Sequence, residues 1–154
     1  MEKFIENQKI PKWMSFIFLL LTIYMVYLLI KTYETSAFTG VLIGTLISLI
    51  ILLLFLIVNL ITEIDKEGIR IKYIPFHFKY INYNWNEIES CKIRKYNPIT
   101  EFGGWGIRYG FRKIKSYTVK GNQGIQLVLK NGKDILIGTQ KGKEIEKLIV
   151  AFLR

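Results

Sequence analysis

The stretch SAFTGVLIGTLISLIILLLFLIVNLITEIDKEGIRIKY, residues 36–73, changes character part-way along. Residues 36–62 carry no charge, and LISLIILLLFLIVNLI within them is apolar all round. A helix made from them has no polar face to turn to water. A membrane-crossing helix needs about 20 such residues at about 1.5 Å of rise each. From Glu63 the charges return, and GIRIKY at 68–73 alternates. Ile69, Ile71 and Tyr73 fall on one face of a strand, Arg70 and Lys72 on the other. This predicts a change at about residue 62 from a membrane span to a β-rich domain.

Towards the N-terminus, WMSFIFLLLTIYMVYLLI at 13–30 is a second uncharged run. Trp13, Tyr27 and Tyr33 suit the membrane–water interface. Only KTYET separates the two runs, and so short a connection forces an antiparallel helical hairpin with spans at 13–30 and 36–61. A cleaved signal peptide would explain the first run and its basic start, but no clear A-x-A site follows and a longer span comes next. Lys3, Lys9 and Lys12 precede the first span, and Lys66, Arg70 and Lys72 follow the second, whereas the connection has only Lys31. Positive residues stay inside. The organisation expected is therefore a cytoplasmic segment at 1–12, a transmembrane hairpin at 13–62 and a cytoplasmic domain at 63–154, in a two-span cell-membrane protein. Gly40, Gly44 and Ser48 recur at intervals of four on the second span, a smooth stripe that lets another helix approach, either the first span or a second copy.

The overall balance fits this division. The 154 residues are 51% hydrophobic yet carry a net charge of +10, and 63–154 hold 18 of the 22 Lys and Arg against 9 of the 12 Asp and Glu. Cys91 is the only cysteine, which excludes an intrachain disulfide. With His77 the only histidine, the usual zinc ligand sets are excluded too.

Within 63–154, β-like runs recur at GIRIKY, FKYINY, IESCKIRKY, GIRYGF, SYTV, GIQLVLK and DILIG, about seven antiparallel strands. Turn signals separate them. Asn131–Gly132, between IQLVL and DILIG, predicts a two-residue type I′ hairpin turn. Ile145, Leu148, Ile149 and Phe152 then fall on one stripe of a closing amphipathic helix, with Thr139 as its expected N-cap. Many short strands followed by one helix predict a small curved sheet or barrel with the helix over an open end.

Residue identities add to this pattern. NP at Asn97 and Pro98, GGWGIR (Gly103, Gly104, Trp105, Gly106, Ile107, Arg108), the spaced Tyr117, Gly121, Gly124, Leu127, Leu129 and Gly132, and IGTQ ending in Gly138, Thr139 and Gln140 occur in order. Over roughly 60–154 this resembles the small bacterial PH-domain-like (pleckstrin-homology) membrane proteins. That family often has proline soon after GTQ, where this chain reads Lys141, Gly142, Lys143. The resemblance implies a PH-like fold in a membrane-attached setting. It implies no particular activity, because the fold carries many functions.

The glycine cluster is not a phosphate-gripping enzyme loop. A Walker loop ends in Lys-Ser/Thr and a dinucleotide fingerprint opens a helix. Here an alternating β pattern follows, so a strand bend around a packed Trp105 is expected. A Cys91–His77 pair has nothing that places its members together, and Glu87, Glu89 and Glu101 sit among cations. No catalytic residue, metal or cofactor is therefore expected. The ligand-binding candidates are the basic residues Lys92 and Arg94 in KIRK and Arg108, Arg112, Lys113 and Lys115 in RYGFRKIK. A domain tethered at an anionic leaflet gains about 1 kcal/mol per nearby basic residue. General positive-inside bias would explain the same charge. The membrane anchor argues against nucleic acid as the partner, and the aromatic residues are needed for strand cores. The function expected is a non-enzymatic membrane-anchored module that binds a protein partner, itself or anionic lipid. The alternatives are an accessory subunit of a transport or envelope complex and an enzyme on lipid headgroups.

Overall fold

A computed structural model describes residues 3–110 and 113–152, which form two compact units: 10–58, and the described residues of 1–9 together with those of 59–154. The first unit is a pair of helices, α1 (Lys12–Lys31) and α2 (Phe38–Ile57). Each has 20 residues and is long and apolar enough to cross a membrane. Phe18 and Phe55 meet at 4.6 Å between ring centres. A methyl group added at Gly44 would lie 2.6 Å from the Met25 side chain, so this glycine lets α1 approach. Ser48 is buried, whereas a methyl group added at Gly40 would meet nothing beyond its own helix within 4 Å. The Thr45 hydroxyl donates to the Val41 carbonyl at 2.8 Å and that of Ser48 to Thr45 at 2.8 Å. Intrahelical bonds of this kind let hydroxyl residues sit in an apolar helix.

The second helix ends at Ile57, four residues before the span end expected at 61. The apolar run continues because the next segment is a strand with a buried face. It begins a four-stranded antiparallel sheet in the order β1-β2-β3-β4, formed by β1 (Phe4–Lys9), β2 (Asn59–Ile64), β3 (Gly68–Ile74) and β4 (Ile81–Asn84). Leu60 and Ile64 of β2 are fully buried, and short apolar runs do not by themselves distinguish a buried strand from a helix. The N-terminal segment is not a loose lead-in. It is the edge strand β1, paired with β2 from Phe4 opposite Ile64 to Lys9 opposite Asn59.

A second sheet holds β5 (Ile88–Lys95), β6 (Gly106–Tyr109), β7 (Lys115–Thr118), β8 (Gln123–Leu129) and β9 (Asp134–Gly138) in the order β5-β8-β9-β7-β6. The described residues thus contain nine strands rather than about seven, the additions being β1 and β2. They are not all antiparallel, because β7 runs parallel to β9. Alternation looks the same in either direction, so sequence did not reveal this. The sheets are open, and among the described residues no closed barrel forms. FKYINY becomes a strand only from Ile81.

Ile69, Ile71 and Tyr73 from the first sheet and Ile125, Leu127, Ile137 and Tyr117 from the second are buried. So are Ile145 and Ile149 of the closing helix α4 (Gly142–Phe152), which packs on β5 and β8. Phe152 stacks on Trp85 at 5.8 Å. Thr139 is not the N-cap of α4. Lys141, the residue before α4, holds the cap position, its carbonyl accepting from Glu144 and Ile145, and Thr139 lies too far upstream. The Asn131–Gly132 turn also differs from expectation. Gly132 has φ of 77° but Asn131 does not have positive φ, so the turn centres on Lys130 and Asn131 and ends in a glycine bulge. Gly132 N–H donates to Leu129 and Leu129 N–H to Lys133, the three-residue hairpin pattern.

Candidate functional site

The two motifs that stand out in the sequence both have structural jobs. A short helix, α3 (Pro98–Phe102), precedes the glycines. Asn97 caps it, accepting from Ile99 and Thr100 N–H at 3.0 and 3.2 Å, and Pro98 fits the first helical position, which needs no N–H donor. Gly103 ends the helix at φ 71°, and Gly104 and Gly106 have φ 124° and 121°. The glycines supply a backbone path that other residues resist. Trp105 is 41% exposed rather than packed in a core, and is held by its indole N–H donating to Gly121 at 2.9 Å. Phe102 instead fills a small core with Tyr96 and Leu136.

IGTQ is clamped by the N-terminal strand. The Glu6 carboxylate accepts from the Thr139 hydroxyl at 2.6 Å and from Gln140 N–H at 2.8 Å. Gln8 donates to the Gly138 carbonyl at 2.7 Å. Glu6 and Gln8 are only 4% and 1% exposed. Sequence reasoning missed them. The only signal was two polar residues at i and i+2 where a strand's inward face is usually apolar.

The basic candidates divide. Lys92 and Arg94 lie on β5, and Arg108 lies on β6 at the opposite edge of the sheet. Arg94 is already engaged, bonded to Gln126 at 3.0 Å and to Glu101 at 2.9 Å. Lys92 is exposed beside it. Arg108 is opposite Ser116, and Tyr109 is opposite Lys115. Paired residues share a face and neighbours alternate, so Arg108 and Lys115 occupy opposite faces. Arg112 lies outside the described residues.

Lys115 and Lys113 do meet a cavity, a cleft of about 830 Å³ walled by Tyr83, Tyr109 and Tyr117. The Lys115 ammonium lies 5.6 Å from the Tyr109 ring centre and 5.1 Å from that of Tyr117. Hydrogen bonding to Tyr117 raises its pKa against the opposing effect of burial. The cation is thus held charged at all ordinary pH. Among the described residues no carboxylate forms an ion pair with it. Lys113 holds φ of 57°, a left-handed conformation that costs a non-glycine residue about 1–2 kcal/mol. Lys130 and Lys133, from the turn between β8 and β9, also line the cleft, against two carboxylates, Glu87 and Asp134. Burial, and then Tyr117, push the Tyr83 hydroxyl well above its usual range. Tyr83, Lys130 and Lys133 were not visible as site residues because chain folding alone brings them to Lys115.

Residues 41–153 match the model of a family of unknown function, DUF6141. The chain belongs to that family. No curated protein and no solved structure matches it. The DUF6141 match begins inside α2 and runs from β2 through α4, leaving α1 and the edge strand β1 outside it.

Within this DUF6141 fold the groups suited to chemistry are dispersed. Burial pushes the Cys91 thiol up to about 12, the reverse of an activated nucleophile. Cys91 sits on β5, while the His77 ring stands 5.9 Å from Tyr117 on β7. Three strand spacings separate β5 from β7, roughly 14 Å along the sheet. Glu87 closes a capping box with Asn84, and Glu101 pairs with Arg94. Among the described residues no cluster of metal-ligating side chains occurs. What the cleft can do is hold an anion between lysine ammoniums, with tyrosine hydroxyls as further donors.

Proposed function

We propose that this chain is a non-enzymatic, membrane-anchored module whose PH-like domain lies at the cytoplasmic leaflet and takes an anionic lipid headgroup in the Lys115 cleft. The observation that carries this reading is Lys115 itself: a half-buried cation braced by two tyrosine rings, without an ion-paired carboxylate among the described residues, beside three further lysines. A protein that needed Lys115 only for solubility would leave it in water. The two long apolar helices support a membrane setting, and the basic flanks support cytoplasmic placement of the β domain. A tether to the bilayer raises the effective concentration of headgroups, so a weak contact suffices. Excess positive charge in the cleft favours anionic lipid over a protein partner or a second copy. Self-association through the small-residue stripe loses support because Gly44 faces Met25 of α1 and Ser48 is already buried.

The test is native mass spectrometry of the full chain released from bilayers of mixed phosphatidylcholine and phosphatidylglycerol. The wild type should retain more phosphatidylglycerol than a Lys115→Ala, Lys133→Ala variant. Equal retention by the two would sink the proposal.

A further inference from the structure

Three chain segments end together at one end of the four-stranded sheet. Lys9, where the chain leaves for α1, and Ile74, where β3 ends, are both register partners of Asn59. Asn59 opens β2, and only Val58 separates it from the end of α2. Adjacent strands lie about 4.8 Å apart. The loop at 75–80 that follows Ile74 therefore starts beside the points of exit and entry of the membrane helices.

That loop reads PFHFKY. The His77 N–H donates to the Tyr73 carbonyl at 2.7 Å and folds the loop back on the strand end. The His77 ring turns inward to Tyr117. Tyr80 turns onto the sheet, its hydroxyl donating to Glu63 at 2.9 Å and its ring lying 5.7 Å from the Lys72 ammonium. Phe76 and Phe78 do neither. They are 61% and 71% exposed, and the one ring contact of either is Phe76 with Tyr73 at 6.1 Å among the described residues. Lys72 and Lys79 flank them. The sequence pattern put Phe78 in the strand run FKYINY, and the fold leaves it outside β4.

Two neighbouring phenylalanines in water are an unusual choice, but apolar aromatics bracketed by lysines suit the boundary between headgroups and acyl chains. We infer that the loop at 75–80 is an interfacial anchor, with Phe76 and Phe78 inserted in the bilayer surface on the side where the chain enters and leaves the membrane. The occupant of this surface is the bilayer rather than a protein, because the strand register ties the loop to the helix exits. The inference rests on α1 and α2 spanning the membrane and goes beyond headgroup binding. An inserted loop adds a third attachment point to the two chain connections, and so fixes which way the Lys115 cleft faces.

The test uses the full chain in a Cys91→Ser background, reconstituted in vesicles of phosphatidylcholine and phosphatidylglycerol. Single cysteines replace Phe76, Phe78, Ile50 or Lys66 and carry a nitroxide label. Ile50 lies within α2. Lys66 is exposed in the turn between β2 and β3, at the opposite end of the first sheet from Asn59 and Ile74 and outside the Lys115 cleft. Paramagnetic accessibility to oxygen and to a water-soluble nickel chelate is then compared, with circular dichroism checking that each labelled variant is folded. Labels at 76 and 78 should collide with nickel several-fold less often than the label at 66, and the label at 50 least of all. Nickel access at 76 and 78 equal to that at 66, with 50 still protected, overturns the anchor alone. Nickel access at 50 overturns the spanning helices and the anchor together.

Discussion

Removing the Glu6 carboxylate should unfasten the N-terminal strand from the rest of the β domain. Glu6 accepts two hydrogen bonds at 2.6 and 2.8 Å, from the Thr139 hydroxyl and the Gln140 N–H, at a site only 4% exposed. Bonds to a charged acceptor contribute about 1.5–3 kcal/mol each, and leaving a buried donor unpaired costs about 1–3 kcal/mol. Because Gln140 is itself exposed, water replaces part of its loss. Glu6→Ala should therefore destabilise the β domain by about 3 kcal/mol, a large share of the roughly 5–15 kcal/mol that holds a domain folded. Glu6→Gln, which keeps one acceptor, should lose about half as much. The assay is urea unfolding of the full chain in neutral detergent, followed by the fluorescence of Trp85 and Trp105. A double-mutant cycle with Thr139→Val isolates the pair and should give a coupling of about 1–2 kcal/mol. A loss for Glu6→Ala below about 0.5 kcal/mol, the usual range of an exposed site, would refute the docking of β1.

Acid should act partly through Glu63. Burial alone raises its pKa, but the Lys3 ammonium, the Tyr80 hydroxyl and Arg70 outweigh this and hold it below its ordinary 4.5. The resulting stabilisation is complete above 4.5 and is lost as pH falls through the lowered value, so Glu63→Gln should flatten the fall of melting temperature in that acid window. Wild-type and variant curves that stay parallel there would contradict the network. At pH 8, Cys91 should react slowly with iodoacetamide in the folded chain and quickly in urea, because its thiol is held up to about 12. Rapid alkylation of the folded chain would contradict its burial.

The two long apolar helices were legible as long uncharged runs, and β3, β8, β9 and α4 as clean periodicities. The end of α2 was not, because Val58 and Leu60 continue the apolar run for a different reason, burial at the start of β2. β1 was hidden by its polar inward face, where Glu6 and Gln8 bond to backbone and hydroxyl groups from residues more than a hundred positions away. α3 is five residues long, below the length at which helical periodicity can be read. For the site, the basic run holding Lys113 and Lys115 was visible. Its division was not, since strand register sends Arg108 to the other face and Glu101 occupies Arg94. The tyrosines that shape the cleft looked like core residues, and Tyr83 and Tyr117 are indeed buried while also walling the cavity.

The most direct measurement of the central claim is a titration of the full chain, in neutral detergent, with glycerol phosphate, read by backbone amide NMR. The account predicts saturable shifts confined to Tyr83, Tyr109, Lys115, Tyr117 and the turn at 130–133, and their disappearance in Lys115→Ala. Shifts that never saturate, or that survive the loss of Lys115, would contradict it.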